Sequence, residues 1–166
     1  MIHTRIATSY IKRTIRPTYA FTQSTPKSMF LDSSWGRTVP IWPGMAFMRT
    51  GGESATLINS TGVPYGLVAN YIGGDGVDEL LETGINTMAV WVLGPDAEFE
   101  ILAPAFDATQ TWVDNGDGSE QLIYAQTAGA NQGKLVPAGT AGASVQPVGR
   151  LLKVNSPSKI TIGGMR

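Results

Sequence analysis

The residues able to do chemistry are few, and their spacing does not suit it. The chain has one histidine, His3, and no cysteine. Acid–base or triad catalysis by histidine needs that side chain held against a partner in a formed pocket. His3 instead opens a stretch without clean periodicity. Lack of thiols excludes disulfides and thiolate metal sites. The string Asp114-Asn115-Gly116-Asp117-Gly118-Ser119-Glu120 is oxygen-rich like a calcium loop. Yet Gly116 and Gly118 fall at the third and fifth positions, where such a loop needs ligands. It reads as a hairpin turn. Gly73-Gly74-Asp75-Gly76 is glycine-rich like a phosphate loop, but Asp75, Asp78, Glu79 and Glu82 would repel a phosphate. Glu98 and Glu100 are two apart, on one face of one strand, whereas glycosidase carboxylates face each other across a cleft. They read as a solvated strand face. No catalytic, cofactor-binding or metal-binding residue emerges, no cofactor is expected, and the chain is read as non-enzymatic.

The charges carry a clearer pattern. Residues 1–49 hold seven Lys/Arg and one acid, Asp32. Residues 50–133 hold twelve Asp/Glu and no base, and residues 134–166 five Lys/Arg and no acid. A basic–acidic–basic order favours ends that fold back on the middle of the chain, or that pair with the middle of a second copy. Nucleic acid is a poor fit, because Lys12–Arg13 is the only adjacent basic pair and the net charge is −1. No apolar run approaches the ~18 residues of a membrane span, and no apolar segment follows the first basic residues as in a secretory signal.

The elements that would position these residues are short. Twenty glycines and ten prolines suit many strands joined by turns better than helices. Residues 1–35 are rich in β-branched residues and broken by Pro17 and Pro26, which reads as an extended N-terminal arm that orders on a partner. Its large groups, among them Tyr10, Tyr19, Phe21, Met29, Phe30 and Trp35, would serve as anchors in partner pockets. Residues 36–166 read as a β-rich body. Strands are expected at Val39–Trp42, Met45–Arg49, Ala55–Asn59, Tyr65–Ile72, Ile85–Leu93 and Ala97–Ala103. Thr109–Val113 and Gln121–Gln126 read as a hairpin, followed by strands at Lys134–Pro137, Ser144–Val154 and Lys159–Ile162. A short helix is expected at Val77–Glu82, capped by Asp75. The fold class is therefore mainly β: a small barrel or sandwich of nine or ten short strands with one or two short helices.

Three segments carry a resemblance. They are Pro43-Gly44-Met45-Ala46-Phe47-Met48, Gly62-Val63-Pro64-Tyr65-Gly66-Leu67-Val68 and Ala97-Glu98-Phe99-Glu100-Ile101. The closing strands, Gln146-Pro147-Val148-Gly149-Arg150-Leu151-Leu152 and Lys159-Ile160-Thr161-Ile162, extend it. Together they resemble head decoration (cement) proteins of tailed bacteriophages, of the lambda-like kind. The resemblance implies a small β-barrel-like domain with an N-terminal arm. It implies a homotrimer on the outer surface of an icosahedral capsid, made in the host cytoplasm, whose arm adds a strand to the major capsid protein. The expected partner contacts are Ile6, Tyr10, Ile11, Arg13, Arg16, Tyr19 and Phe21, and deleting residues 1–30 is expected to leave a folded body that no longer binds capsids. This chain departs from compact members by its longer arm and its Gln110–Gln132 insertion. Alternative readings are a tail, baseplate or head–tail β-structural protein and, with less support, a carbohydrate-binding module.

Overall fold

A computed structural model describes residues 14–19, 26–32, 35, 40–72, 87–114 and 121–165. Among the described residues eleven strands form two sheets, and Gly129–Asn131 makes a single 3-10 turn. Strands β2 (Lys27–Leu31), β3 (Ala46–Arg49), β4 (Ser54–Leu57), β5 (Gly66–Val68) and β6 (Thr87–Val92) close into a barrel in the order β2-β4-β3-β5-β6. The second sheet has the order β1-β7-β11-β10-β8-β9. Its strands are β1 (Ile15–Tyr19), β7 (Glu98–Leu102), β8 (Gln121–Ala125), β9 (Leu135–Pro137), β10 (Gly149–Ser156) and β11 (Lys159–Gly163).

Alternation decides which way each strand faces. In β2, Met29 and Leu31 point inward while Phe30 points out. β2 pairs antiparallel with β6 on one side and parallel with β4 on the other, so it is the strand that closes the barrel. Closure leaves no backbone edge on the barrel wall. Phe47, Leu57, Met88 and Val90 fill it. In the second sheet Phe99 and Ile101 of β7, Ile160 and Ile162 of β11 and Ile123 of β8 point to the same interior. The two sheets share one apolar cluster.

The seam between them is close-packed. Trp91 of the barrel lies against Phe99 of the sheet, ring centroids 5.5 Å apart. Gly44 turns at φ +99°, a conformation that suits glycine. A side chain there would come within 3.1 Å of Ala105 Cβ and 3.2 Å of Ile101. The Ala46 amide donates to the Gly133 carbonyl at 2.8 Å, and Gln132 Nε2 to the Ile58 carbonyl at 2.9 Å. Thr14 Oγ1 donates to the Pro43 carbonyl and ties the start of β1 to the barrel.

Several expectations change. The stretch read as an arm contains β1 and β2, which pair within this chain, β1 with β7 and β2 with β4 and β6. The reason is that Ile15, Met29, Leu31 and Trp35 have apolar partners in this chain's own core. Deletion to residue 30 would thus remove β1 and most of the strand that closes the barrel. Val39–Trp42 forms no strand among the described residues, because Pro40 and Pro43 lack amide donors; Ile41 makes one isolated bridge to Ile72. Thr109–Val113 is not a strand. Asp107 captures the Thr109 amide at 3.0 Å and bends the chain there, and β8 pairs with β9 and β10 instead. The segment expected at 65–72 contracts to β5, and the one expected at 144–154 becomes β10, which starts at Gly149 and runs on to Ser156. The expected helix at 77–82 lies outside the described residues.

Gly66 sets the tightest strand contact, since a Cβ on it would overlap the Trp91 carbonyl oxygen across the β5–β6 pair. Gly66→Ala is expected to lower the unfolding free energy by more than the ~1 kcal/mol of an average substitution. Urea denaturation measures it, and a loss within ~0.5 kcal/mol would show that the two strands can separate at no cost.

Candidate interaction surface

The rim strand β1 is built from a short alternating segment. Ile15 turns into the core, 4% exposed, while Arg16 and Thr18 turn outward. β1 is the terminal strand of its sheet, and β7 is its partner. Arg16 Nη2 lies 3.0 Å from Glu100 Oε2 on β7. Lys159 Nζ, from β11, lies 3.3 Å from Glu100 Oε1. One carboxylate therefore holds two cations from the strands on either side of it. The Arg16 side chain remains 68% exposed, so its charge is still presented to solvent.

A second feature lies on the barrel wall. Phe30 is 55% exposed, and Tyr65 stands at the border of exposure. The Arg49 guanidinium carbon sits 5.1 Å from the Tyr65 ring centroid, and Arg49 also donates to the Gly52 carbonyl. Lys27, Met29 and Glu53 join these residues around a cavity of about 350 Å³. Two partly exposed aromatic residues, Phe30 and Tyr65, thus share this cavity with two cations, Lys27 and Arg49, and one acid, Glu53. Among the described residues no group of three or more His, Asp or Glu is placed to hold a metal ion.

A family model described as phage cement protein matches residues 1–166, the whole chain. The chain belongs to the phage cement protein family. It is a capsid-associated structural protein. Among solved structures it is similar to a chain from "The capsid of Myoviridae Phage XM1", at 11% identity and a TM-score of 0.53, covering 93% of this chain and 92% of that one. At that identity the likeness speaks for the fold alone. No curated protein matches.

For a cement protein the contact residues matter most. Of those expected from sequence, Arg16 is on the exposed face of β1 and is ion-paired within the chain. Tyr19 is the last residue of β1, with its backbone paired to Glu98. Ile6, Tyr10, Ile11, Arg13 and Phe21 lie outside the described residues. Met29 and Trp35 are each 8% exposed, so they are core groups and not free anchors; Phe30 is the outward one. The patch of Tyr65 and Arg49 was missed. Its only sequence signal is an aromatic residue ahead of Gly66, and nothing in the sequence places that residue beside Arg49.

The charge clamp and the Asp107 turn each give a measurable outcome. Glu100→Gln is expected to cost under about 1 kcal/mol, because the pairs are partly exposed. The cost should shrink in 1 M salt. Urea melts at low and high salt test this, and an equal loss in both would assign the effect to packing. Asp107 is raised by burial, but donors from Thr109 and Gln110, with the charge of Lys134, outweigh that and hold its carboxyl below the ordinary 3.8. Its contribution to stability is present above that value and is lost as the pH falls through the lower folded one. Asp107→Asn should flatten the acid limb of the stability profile below about pH 4. A profile that still falls as in the parent protein would assign acid sensitivity to other carboxylates.

Proposed function

We propose that this cement protein binds the outer surface of an icosahedral phage capsid as a homotrimer and stabilises the shell by bridging major capsid protein subunits. Its grip comes from the N-terminal residues, with Ile6, Tyr10, Ile11, Arg13, Arg16, Tyr19 and Phe21 as the contacts, and pairs with the capsid protein by β-augmentation. Residues 36–166 supply the body of the decoration domain together with β1 and β2, which the fold draws in from the N-terminal stretch. The observation that carries this reading is the match of the cement family to the whole chain. The geometry supports it in two ways. β1 is at a sheet rim, with Thr14 fastened to the barrel through Pro43, so residues 1–13 join the body at an edge and not at a closed wall. The charge of Arg16 also faces outward there.

Bridging works through the chemistry of several weak contacts. Three linked copies convert the second and third contacts into intramolecular ones, which raises overall affinity by roughly 10²–10⁴ without a stronger individual contact. Apolar anchors such as Ile6, Tyr10 and Ile11 would bury area against the shell at roughly 25 cal/mol per Å². That burial opposes outward pressure on the subunits they join.

Deleting residues 1–13 is expected to preserve the thermal melt, since it keeps every strand among the described residues, and to abolish binding to expanded capsids. Co-sedimentation with capsids reads this directly. Saturation of capsids by the truncated protein at the full-length midpoint would remove the N-terminal grip from the account. Deleting residues 1–30 should instead lose the cooperative melt, because it takes β1 and most of β2.

A further inference from the structure

We infer that Arg49 and Tyr65 form a preset receptor for a carboxylate, and that its occupant is an acidic residue with an apolar neighbour on the capsid shell. The inference rests on the reading that this protein binds that shell. A stack of three side chains carries it. Phe47 is fully buried in the barrel, and the Tyr65 ring stands at 70° to it, centroids 5.8 Å apart. The Tyr65 amide donates to the Phe47 carbonyl at 2.9 Å, so the backbone below the ring is fixed as well. The Arg49 guanidinium carbon then lies 5.1 Å from the Tyr65 centroid. Nη2 of the same arginine donates to the Gly52 carbonyl, in the turn that joins β3 to β4. A long surface side chain is thus tied at two points, and both partners are neutral.

Neutral partners leave the charge uncompensated. A guanidinium carries several N–H donors, and the Gly52 carbonyl accepts from Nη2. Arg16, by contrast, is matched by Glu100. Among the described residues neither Arg49 nor Lys27, the second cation at this cavity, has a carboxylate within ion-pair distance. Glu53 lines the same cavity and pairs with neither. The site is open: every lining residue except Met29 is exposed, Phe30 by 55%. Its volume of about 350 Å³ is at the small end of ligand clefts, which suits side chains and not a whole domain edge. An arginine already stacked and oriented loses less freedom on meeting a carboxylate than a free one does. Phe30 offers apolar area to whatever residue stands beside that carboxylate. Buried Arg and Tyr contacts are also the ones that dominate binding energy between proteins.

Charge decides the occupant. Residues 1–13 of this chain bear Arg5, Lys12 and Arg13 and no acid, so the cations at the cavity repel them. A nucleic-acid backbone needs a continuous track of cations, whereas here an acid, Glu53, stands beside two of them. A single carboxylate fits, because it matches the planar donors of one guanidinium. The aromatic residues beside it favour a protein as the carrier of that carboxylate. A contact on the barrel wall then adds to the one made by the N-terminal residues. Two linked contacts on one shell hold far better than either alone.

The test uses the full chain, with co-sedimentation on expanded capsids and sedimentation velocity of the protein alone. Arg49→Gln is expected to raise the binding midpoint about tenfold, with the parent melt retained. Arg49→Lys keeps the charge but not the plane, and should recover only part of that loss. Glu53→Gln is expected to lower the midpoint about twofold or threefold, since the incoming carboxylate no longer meets a like charge. It leaves the bond from the Phe30 amide to the Glu53 carbonyl in place. An Arg49→Gln protein that binds at the parent midpoint would overturn the inference. So would weaker binding by Glu53→Gln, which would mean that the occupant is cationic. Should Arg49→Gln lose the parent melt, the direction of the Glu53→Gln change decides alone. A change in the mass of the purified Arg49→Gln protein would place a second copy in the cavity, and would overturn the shell as the source. Failure of the parent to bind capsids would remove the wider reading together with this one. Loss of binding on deleting residues 1–13, with Arg49→Gln unchanged from the parent, would remove this one alone.

Discussion

The structure depends on the burial of β7. Phe99 and Ile101 are completely covered, and the groups that cover them come from both sheets. Trp91 reaches Phe99 from the barrel, and Gly44 lets the barrel's entry turn settle on Ile101 and Ala105. Neither sheet would have a complete interior without the other. The barrel is too small to hide its outer apolar groups, and the six-stranded sheet has only one face that is apolar enough to bury. A Phe99→Ala change would remove a fully buried ring, a loss of about 3–5 kcal/mol in comparable cores. That is a large part of the margin of a domain this size.

The opposite face of the same strand accounts for the order of charges along the chain. A basic beginning, an acidic middle and a basic end are an odd arrangement for a linear polymer. In three dimensions β1, β7 and β11 lie side by side, one from each block. Arg16, Glu100 and Lys159 then form a row across three neighbouring strands. One of the two outcomes expected of the segregated charges, ends folded onto the chain's own middle, thus exists at one carboxylate. Exposed pairs of this kind add little energy. Their value is in register, because a slip of β1 or β11 would carry one of the two cations away from Glu100.

Much of this was legible in the sequence, and the failures have a common cause. The alternation in Ala97–Ala103 named β7 and its two faces correctly, and the apolar run 85–93 named β6. The strands expected at Tyr65–Ile72 and Ser144–Val154 exist as β5 and β10, though each begins only at the glycine, Gly66 or Gly149. These signals are local. Strand status for residues 15–19 and 27–31 was not local. Each is five residues long, and each is decided by partners dozens of positions away. Composition alone made them look like an arm in search of another protein. The Thr109–Val113 reading failed for a different reason. A single carboxylate, Asp107, offered the backbone a turn in place of a ladder, and Trp112 secured the loop by donating to the Asp107 carbonyl at 2.9 Å.

The pairing of β1 with β7 also sets an order of events. The barrel uses strands from residues 27 to 92 and is complete early in the chain. β1 must wait for Ile101 to meet Ile15, 86 positions further on (101 − 15), and β7 in turn waits for β11 at 159–163. Closing loops of that length delays contacts. On a ribosome the barrel can therefore form first, while the first strand made is among the last to find its place. The N-terminal end of the chain stays unincorporated through most of synthesis, and its capture marks the completion of the fold.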